Sequence, residues 1–564
     1  MIYDDRPWLK SYDKFVNPDL LAPDVSYVAL LEKSFSEFAG RPAMHYMGKS
    51  FSFSQLDEYS GRFANFLSEI GCGPGDVVGI NLPNIPQYLF AHAGALRAGC
   101  AVTGVSPLLT AKEMAYQIND SGARVLVCMD SIFEERVLKI QDKVPKLSHI
   151  IATGVADFLP WIKRSLGKLL KKVPSGKVTP IPGKTVMTFP ELLEKYPAKT
   201  PNVSIKPEDT CLIQYTGGTT GLPKGTELSH KNMVNNIFQS TQWFETERGG
   251  EIYISGFPFF HLAGLFFGMS AMSNGNAQVL IPDPRNTKHI SKEFAAYRPT
   301  VMANVPSLYQ MLLNEPLFKG LEFGSLKGFI SGAAPLAEET FRKLEQVGRD
   351  GNVLEVYGMT ETSPLITMNP YKGVKKVGTV GLPLQSTYVK MIDLETGTKE
   401  VPIGEAGELI VRGPQVMKGY FRKPEETAHA FREFQGQKWL HTGDIARMDQ
   451  DGYITIMDRA KDMLNVGGYK VFSREVEETL YDYPAIEFCA IIGLPNPERP
   501  GTETVKAVIQ LARDFKEKDH AILKKEILAY CRENMAPYKI PKIIEFVDQL
   551  PLTAVGKVDK KALR

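Results

Sequence analysis

Hydrophobic and polar positions follow one rhythm through the first half of the chain and another at its end. Over 54–70, Leu56, Tyr59, Phe63, Phe66 and Ile70 recur at three- and four-residue steps, which predicts an amphipathic helix. Ser54 and Asp57 offer caps for it, and Gly71 offers a stop. The unbroken apolar run at 76–82 predicts a buried strand, 87–97 a helix, and 101–103 and 124–128 further strands. This βαβ alternation predicts an α/β fold with parallel sheets covered by helices. The last hundred residues instead predict strands at 486–494, 505–511 and 542–547 and a capped helix at 519–533, a small α+β unit. Between the two patterns, Asp458-Arg459-Ala460-Lys461-Asp462 carries four charges in five residues and reads as an exposed hinge. The expected division is a large, multi-lobed N-terminal unit (1–457), the hinge (458–462) and a small mobile C-terminal unit (463–564).

A chain of 564 residues supports this division, because single cores stop growing near about 250–300 residues. Hydrophobic residues at 43% and charged residues at 23% are ordinary for a globular protein, and a net charge of +2 gives no argument for nucleic acid. Six cysteines without a CxxC pair or a nearby histidine cluster argue against disulfides or structural zinc and suit a reducing, cytoplasmic setting. The chain start lacks a signal-peptide pattern and the chain end a retention signal. The most apolar stretch, 257–272, is broken by His261 and two glycines and falls short of the ~20 residues a spanning helix needs. It reads as a buried segment lining a site. Residues 158–190 contain Lys163, Arg164, Lys168, Lys171, Lys172, Lys177 and Lys184 with interleaved apolar residues. Two readings stay open: peripheral contact with an anionic membrane, at its inner face, through 158–186, or a solvated insertion whose apolar side packs on the protein.

The strongest local signal is Tyr215-Thr216-Gly217-Gly218-Thr219-Thr220-Gly221-Leu222-Pro223-Lys224-Gly225. Glycines let backbone N–H groups turn toward a polyphosphate, threonines add hydroxyls, and Lys224 adds charge. The Walker A spacing is absent. In Ser331-Gly332-Ala333-Ala334-Pro335, small residues allow a planar base close to the backbone. In Tyr357-Gly358-Met359-Thr360-Glu361, an aromatic face suits a purine and a carboxylate suits Mg²⁺.

With Trp439-Leu440-His441-Thr442-Gly443-Asp444, Arg459 in the junction, and Pro551-Leu552-Thr553-Ala554-Val555-Gly556-Lys557, this ordered set resembles the acyl-adenylate-forming superfamily. The similarity is nearest to long-chain fatty acyl-CoA synthetases. It implies ATP, Mg²⁺ and CoA as cofactor and co-substrates, with an acyl-AMP intermediate. It further implies that Tyr357 stacks on adenine, that Gly332, Ala333 and Ala334 line the base, and that Asp444 and Arg459 meet the ribose. Thr360 would touch the α-phosphate, Glu361 would hold Mg²⁺ with Thr216 as a second contact, and Lys557 would bridge the reacting anions. Lys461 would be the pivot of a rotation that withdraws Lys557 and brings Gly467, Gly468 and Lys470 to the CoA arm. Ser473 stands where the family usually has proline, which clouds the local turn. His261 matches a substrate-side histidine that places the carboxylate or gates the site, although a lone histidine in an apolar run is more often a satisfied core residue.

For the acid, Phe259, Phe260, Leu265, Phe266, Phe267 and Met269 suggest an apolar tunnel. Arg6-Pro7-Trp8-Leu9 and Asp157-Phe158-Leu159-Pro160 look like long-chain synthetases, so a long- or medium-chain fatty acid is expected. The alternatives are a fatty acyl-AMP ligase loading a carrier protein and an aryl or short-chain acyl-CoA ligase. A homodimer is left open.

Overall fold

The computed structural model describes residues 2–159, 174–216, 222–348, 352–467, 469–496, 499, 502–553 and 558–564. The predicted helix over 54–70 runs Phe53–Glu69, and its cap is neither Ser54 nor Asp57. Ser52 accepts from the Gln55 N–H while the Gln55 side chain accepts from the Ser52 N–H, a reciprocal pair that satisfies two end donors. The apolar stripe of this helix packs on Pro86–Arg97, which is buried along its whole length. The strand predictions land within one or two residues: Val77–Asn81, Ala101–Gly104 and Val125–Met129 pair in parallel, as helical crossovers between successive strands require.

Among the described residues the strands form five sheets. An eight-stranded sheet centres on Val77–Asn81, and its far flank carries Thr210–Thr216 and Lys224–Ser229 as an antiparallel pair. A nine-stranded sheet runs through Ile252–Ser255, Val301–Asn304, Gly328–Ser331 and Val353–Gly358 in parallel. A five-stranded antiparallel sheet holds Gln437–Met448 against Ile454–Arg459. Residues 464–546 build their own core around Ile486–Pro495, Glu503–Leu511 and Ile543–Val547, with Val476, Leu480, Leu523 and Ile527 packed on it. Asp519 caps its helix, His520–Asn534, as the pattern predicted.

One expectation needs correction. The junction is not wholly exposed: Asp458 is the fifth residue of the strand Ile454–Arg459 and only 6% exposed. The two ends of the basic segment are held by the protein. Phe158 and Leu159 are buried, Phe158 packing among Phe51, Phe90 and Phe189, and Lys184 donates to the Val144 and Leu147 carbonyls. Residues 160–173, with most of its charge, lie outside the described residues. Among the described residues no helix is long and apolar enough to cross a membrane.

Candidate active site

The C-terminal ends of the parallel strands open into one cleft of about 3270 Å³, the position where open α/β sheets bind ligands. Strand Val353–Gly358 delivers Tyr357 and Gly358 to it, and a 3₁₀ turn, Thr360–Thr362, follows. A Cβ on Gly358 would stand 1.9 Å from the Pro364 carbonyl oxygen, so no side chain fits there. Strand Gly328–Ser331 delivers Gly332, Ala333 and Ala334. A Cβ on Gly332 would meet Val356 at 2.6 Å, and Ala333 adopts φ 69°, so the backbone turns sharply along the cleft wall.

Opposite, the Tyr357 hydroxyl donates to Asp444 Oδ2 at 2.6 Å, and Arg459 Nε lies 3.3 Å from Asp444 Oδ1. Burial, then the Asp444 carboxylate, pushes the Tyr357 phenol far above its usual range, so it stays a donor. The strand register pairs Asp444 with Arg459, which explains how motifs fifteen residues apart reach one spot. Glu361 is 5% exposed, and burial raises its carboxyl above the ordinary value even though the Tyr420 hydroxyl donates to Oε1 at 2.8 Å. Thr216 and Lys224 face each other across the ends of their strands and line the same cleft. Lys224 is ion-paired with Glu426 and lies over the Tyr420 ring. Nothing in the sequence spacing singled out Tyr420 or Glu426.

His261 lines the cleft and caps the helix Leu262–Ser273, its Nδ1 accepting from the Ala263 N–H at 3.3 Å. Of the six apolar residues suspected of forming a tunnel, Phe260, Phe266 and Phe267 face the cleft, while Phe259, Leu265 and Met269 point into the core. Within the helix Leu262–Ser273, Leu265 and Met269 share a face four residues apart, away from Phe266 and Phe267. Phe244, Tyr253 and Phe267 also line the cleft, the last two as a tilted ring pair with centroids 4.6 Å apart.

Lys461 lines the cleft, and burial lowers its ammonium below the usual range. Gly467 and Lys470 do not line it. They belong to a small hairpin, Leu464–Val466 with Tyr469–Val471, where Gly467 takes φ 61° at the turn. Gly217, Gly218, Thr219, Thr220, Gly221, Gly468 and Lys557 lie outside the described residues. Both flanks of the Lys557 segment are described and line the cleft: Thr553 on one side, Val558 and Lys560 on the other.

Among the described residues no group of three or more His, Cys, Asp or Glu could hold a metal by itself. A site of one buried carboxylate, Glu361, in a cleft that Thr216 also lines fits only an ion that draws its other ligands from substrate phosphates, as Mg²⁺ does.

These features define a nucleotide-binding, two-part α/β enzyme. Residues 31–421 match the AMP-binding enzyme family and 475–557 the AMP-binding enzyme C-terminal domain, and the chain belongs to that family. Among curated relatives, a long-chain-fatty-acid–CoA ligase of Bacillus subtilis is 36% identical, covering 99% of this chain and 97% of its own. A feruloyl-CoA synthase of an Amycolatopsis species is 32% identical over 93% of this chain and 95% of its own. Among solved structures, an anthranilate CoA ligase with anthranoyl-AMP aligns with a TM-score of 0.82 at 26% identity, covering 96% of this chain and 97% of that one.

Proposed function

We propose that this protein activates a fatty acid with ATP and passes the acyl group to coenzyme A. The observation that carries the reading is that residues of the adenine, ribose and phosphate motifs line one cleft with Phe260, Phe266 and Phe267. In the first step a carboxylate oxygen attacks the α-phosphorus, the bond to the bridging oxygen breaks, and pyrophosphate leaves. In the second the CoA thiol attacks the acyl carbonyl, loses its proton, and AMP leaves.

Tyr357 offers its ring to adenine and its hydroxyl to Asp444, which keeps that carboxylate aimed at the ribose diol. Gly332, Ala333 and Ala334 form the wall against the base. Lys224, Thr360 and residues 216–221 supply donors for the phosphates, and Lys224 exchanges Glu426 for phosphate when ATP arrives. Mg²⁺ held by Glu361 and Thr216 would neutralise phosphate charge as pyrophosphate departs. Lys557 bridges the attacking carboxylate and the α-phosphate, two anions that otherwise repel. His261 faces the carboxylate end of the acid. The ATP, the acid and the 1–457 unit would meet in this cleft, with 463–564 turning about 458–462 to bring Gly467, Gly468 and Lys470 to CoA.

The fatty substrate rests on the curated relatives named for it and on the Phe260, Phe266 and Phe267 lining. An aryl acid is the second reading, supported by the feruloyl-CoA synthase similarity. A panel of aliphatic acids of graded length and aromatic acids, assayed for CoA-dependent AMP release, tests both. Turnover that peaks on long or medium chains supports the proposal, and turnover confined to aromatic acids refutes it. AMP release that ignores CoA but responds to a carrier protein would point to the fatty acyl-AMP ligase alternative.

A further inference from the structure

The nine-stranded sheet turns its two faces to different cores. Ile254, Met302, Phe329 and Val353 pack on one side. Tyr253, Val301, Ile330 and Leu354 pack on the other, with Phe244, Phe267 and Ala271 around them. The second face borders the cleft, where Val301, Ala303 and Ile330 present carbon alone. A wall of that kind suits a hydrocarbon tail, and a polar group set into it costs free energy unless something bonds to it.

Three hydroxyls interrupt this wall. Thr246, Tyr253 and Ser270 line the same cleft. The register sets Tyr253 opposite Val301 and Val301 opposite Gly328. Ser270 follows Phe267 by one turn of the helix Leu262–Ser273, and the Phe267 ring is paired with that of Tyr253. Burial pushes the Tyr253 phenol up to about 12, and the Thr246 and Ser270 side chains oppose the rise by hydrogen bonding to its hydroxyl. Beside Tyr253, Asn276 is wholly buried; its oxygen accepts from the Glu251 N–H at 3.2 Å, and among the described residues its amide nitrogen meets no acceptor. Each hydroxyl carries one donor and two lone pairs, so even a closed ring of three leaves a lone pair on each. The cluster therefore keeps acceptors for a further O–H.

Gly328 lies four residues along its strand from Gly332 at the nucleotide wall, a separation of about 13 Å. With carbon–carbon bonds of ~1.5 Å, a zigzag chain spans that distance in about ten carbons.

We propose that Thr246, Tyr253 and Ser270 form a subsite for a hydroxyl at the far end of the acid, which makes a hydroxylated carboxylic acid the preferred substrate. The proposal deepens the acid-activation reading above and rests on it. The hydroxyl can sit on an aliphatic chain or on an aromatic ring, and its chemistry at the subsite is the same.

Matched pairs of acids tell the two sources apart: a straight-chain acid of about ten carbons with its ω-hydroxy form, and cinnamic acid with 4-hydroxycinnamic acid, each assayed for CoA-dependent AMP release. The hydroxylated member of one pair is expected to show a kcat/KM about tenfold above its partner, the worth of one net hydrogen bond, chiefly through a lower KM. Tyr253→Phe keeps the ring beside Phe267 and should bring that ratio close to one by slowing the hydroxylated acid. Ser270→Ala should lower it part of the way. A parent enzyme that prefers the plain acid, or fails to discriminate, in both pairs overturns the subsite, as does a ratio that survives both substitutions. Absence of CoA-dependent AMP release with every acid sinks the activation reading instead, whereas normal release without a hydroxyl preference sinks the subsite alone.

Discussion

Glu361→Gln separates the chemistry of the site from its stability. The glutamine has the same shape, and its carbonyl oxygen still accepts from the Tyr420 hydroxyl that now lies 2.8 Å from Oε1. What disappears is one negative charge in a position 5% exposed. Removing one preorganised electrostatic group from an active site costs about 10²–10³ in rate, or roughly 2.7–4 kcal/mol. Pyrophosphate exchange should therefore fall by that factor, and the Mg²⁺ concentration needed for half-maximal exchange should rise. Stability should move the other way. Burial holds the Glu361 carboxyl above its unfolded value, so its term favours the fold below the unfolded pKa and is lost as pH rises through the folded one. The amide does not titrate. The variant should then melt higher than the parent near pH 7.5 and show a smaller advantage near pH 4.5, by calorimetry at the two pH values. Exchange within threefold of the parent with an unchanged Mg²⁺ dependence would refute the metal assignment. A lower melting temperature at pH 7.5 would refute the claim that the charge is held there at a cost to folding.

Lys461→Pro should stall acyl transfer to CoA while leaving pyrophosphate exchange within a few-fold, because it stiffens the backbone at the pivot; normal overall turnover would remove the hinge assignment. Ser52→Ala should lower stability by about 1 kcal/mol through loss of the reciprocal cap, seen as a lower denaturation midpoint with kcat unchanged.

The sequence was most legible where one periodicity serves one purpose. The helix Phe53–Glu69 and the strands Val77–Asn81 and Val125–Met129 each bury a single face or both faces, and the pattern states that directly. Caps were less legible: Ser52, Ser54 and Asp57 are all competent cap residues, and only the turn before Phe53 decides among them. In the apolar run 257–272 composition announced burial but not direction, since Phe266 faces the cleft and Leu265 the core on the same helix. The motifs predicted the convergence of Asp444 and Arg459 only through resemblance; the physical cause is a strand register that sequence spacing does not encode. Ser473 looked like a disturbance of a turn, yet its N–H and hydroxyl turn out to be partners of Asp458, which no local pattern could reveal across fifteen residues.

All six cysteines are buried. An acyl-AMP is a mixed anhydride, and any accessible thiolate nearby would compete with CoA for its acyl group. Burial pushes the thiols of Cys72 and Cys531 up to about 11 and that of Cys489 well above the usual range. Even Cys489, which reaches the cleft wall, is 2% exposed. The protein thus keeps its own sulfur out of a reaction whose acceptor is sulfur, and the activated acyl group meets no internal nucleophile of the same kind before its intended one arrives.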